Sequence, residues 1–211
     1  MDKSSVPEIV AKEIGRSALR REDPAALSGR AAYIADLAFP DVLHVSILRS
    51  PFAHARITAI DVSAARAHGG VVQVWTGADV LPRCGGVMAR MELPGFVPTV
   101  QPILAHDIVR FVGEAVAVVV ATSQAAAEDA LELIDVDYDE LPVVADIASA
   151  VAAEVIANEA VPANLVYRGH RCQDDVDNDF ARAACVAQGR FSNNRVSATP
   201  MEPRGCIASH E

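Results

Sequence analysis

The run Ala115-Val116-Ala117-Val118-Val119-Val120-Ala121, entered through Gly113-Glu114, constrains this chain more than any other segment. Valine is stiff at its first side-chain torsion and favours the extended backbone, so the run reads as a strand. Because it is apolar at every position rather than at alternate ones, it is expected to be buried on both faces. Thr122 or Ser123 then caps a helix reaching about Leu133, with Ala126, Ala127, Ala130, Leu131 and Ile134 spaced to form one apolar face. Ile134 to Tyr138 returns to a period of two with Asp135 and Asp137 outward, and Leu141-Pro142 ends it. This strand–helix–strand unit implies an α+β domain over residues 25–145. The apolar run is seven residues long, far short of the roughly 20 that a membrane helix needs, so no membrane contact is expected.

Other elements arrange themselves around that unit. Val42 to Leu48 and Arg56 to Val62 read as strands broken by Ser50-Pro51. A short helix over Ser63 to Ala67 is expected to have Ser63 as its cap and Gly69-Gly70 as its stop. Val71 to Thr76 is a further strand, Gly77-Ala78-Asp79 begins a turn, and Val109 to Val112 is a short strand. Between them, residues 82–107 hold Pro82, Pro94, Pro98 and Pro102, a density that denies long helices and predicts a long surface loop. Residues 1–24 read as an N-terminal arm: a polar lead-in, then arginine-rich chain with a short helical turn near Pro24. Beyond Asp146 come an alanine-rich helix to about Ala153, a connecting loop, a short helix over Ala181 to Ala184, and two long strands, Cys185 to Phe191 and Arg195 to Ser209.

Charge and side-chain chemistry narrow the function. The chain carries 28 acidic against 18 basic residues, and the charged residues from Glu114 to Asp179 are acidic except for Arg168 and Arg171, which argues against nucleic acid as a partner. Those acids read as a solvated face, or as a docking surface for a basic partner. Cys84, Cys172, Cys185 and Cys206 contain no C-x-x-C pair and six histidines contain no H-x-x-x-H pair, so no metal site is expected in the chain itself. The Asp174 to Asp179 acids lack the glycine and glutamate of a calcium loop in register. The start lacks a basic, then apolar, secretory pattern, and a cytoplasmic protein is expected. His54 could act as a base, but with no nucleophile or carboxylate motif beside it the better reading is a structural turn histidine. Gly113 is expected to serve a tight backbone geometry and Glu114 a strand entrance.

Several motifs occur in a definite order: Gly15-Arg16-Ser17, Arg20-Arg21-Glu22-Asp23-Pro24, Gly29-Arg30-Ala31-Ala32-Tyr33-Ile34-Ala35-Asp36, Arg49-Ser50-Pro51-Phe52-Ala53-His54-Ala55-Arg56-Ile57, Gly113-Glu114-Ala115-Val116 and Pro200-Met201-Glu202-Pro203-Arg204-Gly205. Over residues 14 to 211 this resembles the N-terminal part of the molybdenum-binding large subunit of the xanthine dehydrogenase, aldehyde oxidase and carbon-monoxide dehydrogenase family. Ala115 departs from it, standing where the family typically has proline. The resemblance implies an α/β-hammerhead domain over residues 25–145, followed over residues 146–211 by a connector and the truncated start, the first strands, of a molybdopterin-binding domain.

It also implies that the complete enzyme oxidises a C–H carbon or carbon monoxide with oxygen from water. Its molybdenum-molybdopterin would sit in the remaining large-subunit domain, with iron–sulfur and FAD on partner domains or subunits. Glu202 and Arg204 are then candidates for the substrate funnel or its supporting shell, a local Glu–Arg pair being the plainer alternative. The His54 motif would belong to the family's packing core, and the Gly113-Glu114 segment would lie in the domain near the electron-transfer partners, with His54, Gly113 and Glu114 all read as structural. The family's G-G-G-F-G loop and general-base glutamate have no counterpart here, so catalytic and cofactor-binding residues are expected to be none in this chain alone. The alternatives are a stand-alone or split-subunit assembly module, or a truncated product without independent function.

Overall fold

The computed structural model describes residues 15, 17, 19–171, 175–194, 196–200, 202 and 204–209. Backbone contacts group the chain into two units, residues 41–187 and residues 1–40 with 188–211.

The larger unit is built on β7, Ala115–Ala121, the apolar run. It is the middle strand of a three-stranded antiparallel sheet, between β1 (His44–Arg49) and β3 (Val71–Thr76). Val119 of β7 lies opposite Ser46 of β1 and Val74 of β3, so these three share one face. The main helix of the unit, Gln124–Leu131, packs on that face. Ser123 caps it, its Oγ accepting the Ala126 N–H at 3.2 Å. Ala127 and Ala130 are fully buried beside Val74, Val119 and Ala121. Alanine at these contacts lets the helix axis approach the sheet closely, and packing rather than intrinsic propensity holds so short a helix.

A second antiparallel sheet runs β6 (Ile108–Val109), β2 (Ala55–Asp61), β8 (Asp135–Glu140). Its core gathers Ala55, Ala105, Val109 and Val116, with Phe52, Ile57, Val136 and Tyr138 packed on it. The strand–helix–strand unit expected from sequence is therefore present, but its two strands enter different sheets.

Three expectations need correction. Ser63 is the first residue of its helix, Ser63–Ala67, rather than the cap. Its own N–H donates to Asp61 Oδ1 at 2.8 Å, an Asx turn that starts the helix one residue earlier than a Ser63 cap would. Residues 82–107 are not loop throughout: β4 (Val87–Met88) pairs with β5 (Val100–Gln101), and Leu104 and Ala105 are buried. The expected strands over Cys185 to Phe191 and Arg195 to Ser209 are not strands among the described residues. A strand exists only in a ladder, and Pro200 withholds a donor where one would be needed.

The rest of the larger unit is tied by polar contacts. Asp146 caps the helix Ile147–Ala152, expected from its alanines, and accepts the Ser149 N–H at 2.8 Å. Asn164 donates to the Ala150 and Val155 carbonyls and accepts from Ala157 N–H, closing the following loop on itself. Val161 is 3% exposed, and the Val97 N–H donates to the Val166 carbonyl at 2.8 Å. A helix Val176–Arg182 follows, earlier than the Ala181 to Ala184 expected. Among the described residues no helix is long and apolar enough to cross a membrane.

Acid should weaken this unit partly through Asp79. Its Oδ2 accepts the Thr76 N–H at 2.8 Å and the Thr76 hydroxyl at 2.9 Å. The Thr76 N–H chiefly, with the hydroxyl and Arg66 assisting against some burial, holds the carboxyl below its ordinary value. A lowered folded-state pKa contributes stability above the unfolded value, about 4, and loses it as pH falls through the folded value. Asp79→Ala should therefore flatten the fall in melting temperature between about pH 5 and about pH 2, measured by calorimetry at each pH. An unchanged acid limb would show that the fall comes from other carboxylates.

Candidate functional site

Four of the six motifs singled out in the sequence meet in pairs. In the larger unit, Arg49-Ser50-Pro51-Phe52 and Gly113-Glu114 interlock at the corner where β1 ends and β7 begins. The Ser50 N–H donates to the Glu114 carbonyl at 2.9 Å and the Gly113 N–H to the Ser50 carbonyl at 2.8 Å. Arg49 Nη1 donates to the Gly113 carbonyl at 2.9 Å. Gly113 has φ +90°, a conformation that side chains strain against, and the space where a Cβ would stand is open.

Two polar side chains are buried in this corner, Ser50 and Glu114, each 2% exposed. Glu114 Oε2 accepts the Arg110 N–H at 2.6 Å. Ser50 Oγ accepts the Phe52 N–H at 3.0 Å and donates to the Phe52 carbonyl at 3.1 Å. Beside them the rings of Phe52 and Tyr138 lie 5.0 Å apart, tilted by 49°. Burial pushes the Tyr138 phenol above its usual value, a hydrogen bond with Ser50 opposing it.

His54 completes the corner. Its Nδ1 lies 2.7 Å from the Pro142 carbonyl, which can only accept, so that nitrogen carries the proton. The His54 carbonyl accepts the Leu141 N–H at 2.9 Å. The imidazole thus joins the start of β2 to the segment after β8. His54→Gln can keep one such bond, whereas His54→Ala should cost about 1 kcal/mol by denaturant titration. Equal stability of the two variants would refute the bond's role.

In the smaller unit the other two motifs meet. A single 3-10 turn, Ile34–Asp36, follows Tyr33. Its leading N–H groups have no backbone acceptor in the turn and go to side chains: Tyr33 N–H donates to Asp36 Oδ2 at 3.0 Å and Ile34 N–H to Glu202 Oε1 at 2.8 Å. Gly205 approaches Ile34 so closely that a Cβ there would stand 2.6 Å from Ile34 Cγ2. Glu202 therefore works as a tether on the Tyr33-Ile34 backbone. Arg204 is exposed and forms no ion pair among the described residues, so the plainer Glu–Arg pair is not formed.

Nothing in these corners assembles a nucleophile with a base. A cavity of about 300 Å³ beside His54 and Arg110 is lined mainly by apolar side chains and backbone. A neighbouring one of about 310 Å³ adds Arg56, Glu154 and Glu159, charges of both signs. Cys84 and His106 border a third, with His106 Nε2 3.1 Å from Asp107 Oδ1, but no hydrogen bond joins thiol to imidazole among the described residues. Among the described residues no three His, Cys, Asp or Glu side chains converge as a metal-ligand set. Asp174, part of the acidic run weighed against a calcium loop, lies outside the described residues.

Arg49 and Ser50 entered the sequence reading only as part of a motif and a strand break, with no role assigned, and Arg110 did not enter it. The signal for Ser50 was available: Ser-Pro after a strand is a turn in which the hydroxyl binds backbone two residues on. Nothing local marks Arg110, whose N–H meets Glu114 only through the turn at Gly113.

Comparison with known proteins identifies the family of the domain that holds the larger corner. Residues 28–142 match the family model described as "Aldehyde oxidase and xanthine dehydrogenase, a/b hammerhead domain". The chain is 42% identical over 205 residues to the nicotine 6-hydroxylase large subunit of Paenarthrobacter nicotinovorans, covering 97% of this chain and 25% of that one. It is 33% identical over 204 residues to the carbon monoxide dehydrogenase large chain of Afipia carboxidovorans, covering 90% and 25%. The crystal structure of quinoline 2-oxidoreductase from Pseudomonas putida 86 superposes with a TM-score of 0.82 at 53% identity, over 89% of this chain and 24% of that one. The chain thus spans about a quarter of the length of these relatives. Matched over more than half its residues by that model, the chain belongs to the aldehyde oxidase and xanthine dehydrogenase family and carries its α/β-hammerhead domain.

Proposed function

We propose that this chain is the N-terminal scaffold portion of a molybdenum hydroxylase large subunit, not catalytic alone. The observation that carries the reading is its alignment, almost end to end, with a quarter of an enzyme's large subunit. In the complete enzyme a C–H carbon is oxidised with oxygen from water, and a nitrogen heteroaromatic is the favoured substrate class. That preference follows from the relatives named for quinoline and nicotine, at 53% and 42% identity, against 33% for a carbon monoxide dehydrogenase.

Molybdenum-molybdopterin would supply the oxidising centre. It is assigned to the remaining large-subunit domain, and no catalytic step is derived through it. The two motif corners rigidify the scaffold, Glu202 tethers the segment carrying Arg204, and iron–sulfur and FAD subunits complete a cytoplasmic complex. The free thiols of Cys84, Cys185 and Cys206 suit that compartment.

A split large subunit is the second reading, favoured by one relative. The large molybdopterin subunit of nicotinate dehydrogenase from Eubacterium barkeri is 28% identical over 203 residues, which make up 44% of that chain. That chain is therefore little more than half as long as the relatives matched over a quarter.

The test is substitution in place. Exchanging this chain for the matching quarter of the nicotine 6-hydroxylase large subunit should leave an assembled complex that still hydroxylates nicotine. A hybrid that folds but assembles no complex would overturn the scaffold reading.

A further inference from the structure

We propose that the outer face of the β1–β7–β3 sheet is the surface on which the remaining three quarters of the large subunit docks. The inference rests on the large-subunit reading above. Two cross-strand rows make up this face: Val45, Val120 and Gln73, then Ile47, Val118 and Trp75. Five of the six side chains are apolar. The helix Gln124–Leu131 occupies the opposite face, around Ser46 and Val119. Outside, Val45 is 53% exposed, Ile47 40% and Trp75 37%.

The strand at the centre makes the exposure informative. Seven apolar residues in succession belong to a strand covered on both sides. Yet Val118 and Val120 are only half buried, while Val119 and Ala121 on the helix side are fully enclosed. The composition of β7 is thus matched to a cover on the outer face. A contiguous apolar sheet face of this kind marks an interaction surface.

Length identifies the cover. The relatives carry this segment as about a quarter of one chain, so some three quarters of each subunit is available to pack on it. A second copy of this chain fits less well, because six side chains fall well short of the roughly 800 Å² per partner in a stable interface. A much larger partner engaging further surface needs no more from this patch.

Trp75 is the chain's single tryptophan, so 5-fluorotryptophan labelling places one fluorine signal on the face. The labelled 211-residue chain would be titrated with the remaining three quarters of the P. nicotinovorans nicotine 6-hydroxylase large subunit, produced as a separate unlabelled polypeptide. A complex should form and the Trp75 resonance should move with it, independently of the labelled chain's own concentration. Val45→Thr with Ile47→Thr keeps strand-favouring residues on an exposed edge strand and should weaken the complex about tenfold or more. Phe180→Ser, at an exposed apolar residue of the helix Val176–Arg182, should leave it unchanged.

A complex that forms without moving the Trp75 resonance would overturn this surface while leaving the large-subunit reading intact. A resonance that moves with the chain's own concentration would assign the face to a second copy and likewise overturn the proposal. Absence of any complex would remove the large-subunit reading and this inference together.

Discussion

Gly77→Ala should destabilise the larger unit by about 3 kcal/mol, the upper part of the range for inserting a methyl into a packed interior. For a protein of this length that lowers the melting temperature by roughly 6 to 12 °C. Gly77 opens the short helix Gly77–Val80 and is buried. A Cβ there would stand 2.4 Å from the Ala105 carbonyl oxygen and 2.6 Å from His106 Cβ. The obstacle is backbone, and it cannot step aside freely: the Ala105 N–H donates to the Ala115 carbonyl at 2.7 Å, tying that loop to the start of β7. Scanning calorimetry of Gly77→Ala beside the parent chain checks the value. A melting temperature within about 2 °C of the parent, at most about 1 kcal/mol at this size, would show that the loop can move and that the bond to Ala115 is weak.

Gly113 tests a different physical cost. Its surroundings hold no atom within 4 Å of a built Cβ, but its φ is +90°. Gly113→Val should therefore cost about 2 kcal/mol from backbone strain, and Gly113→Ala about 1 kcal/mol. The order matters as much as the size. If crowding were the cause, alanine would be harmless in the open space and valine only slightly worse. Denaturant titration of both variants gives the comparison, and parental stability for Gly113→Val would refute strain at this turn. The two glycines are alike in sequence, each standing beside a strand, and only the coordinates say that one is held by space and the other by dihedral angle.

Much of the local structure was legible because local chemistry decides it. β7 and β3 appear at the bounds their apolar residues predict, and Ser123 caps the helix it precedes. Ala127 and Ala130 turn inward as their spacing requires. Where a local rule had competitors the sequence was ambiguous: Asp61, not Ser63, supplies the side-chain acceptor before this helix, and it takes the N–H of Ser63 itself, which leaves Ser63 one position inside the helix. The family motifs were equally visible, but as separate strings.

Sequence alone determined that an apolar strand, an alanine-faced helix and a half-polar strand follow one another, because each is specified by side-chain period within ten or so residues. It also determined the family, through the order of its motifs. Only the tertiary structure decided that the two strands of that unit part into different sheets, that Ser50 locks onto Gly113-Glu114, and that Glu202 reaches Ile34. The last two pairings join residues far apart in the chain, by 168 positions for Glu202 and Ile34, and nothing in a local pattern says which distant donor will satisfy which acceptor. The same holds for the outer face of β7: its composition asks for a cover, and only the coordinates show which of its two faces still lacks one.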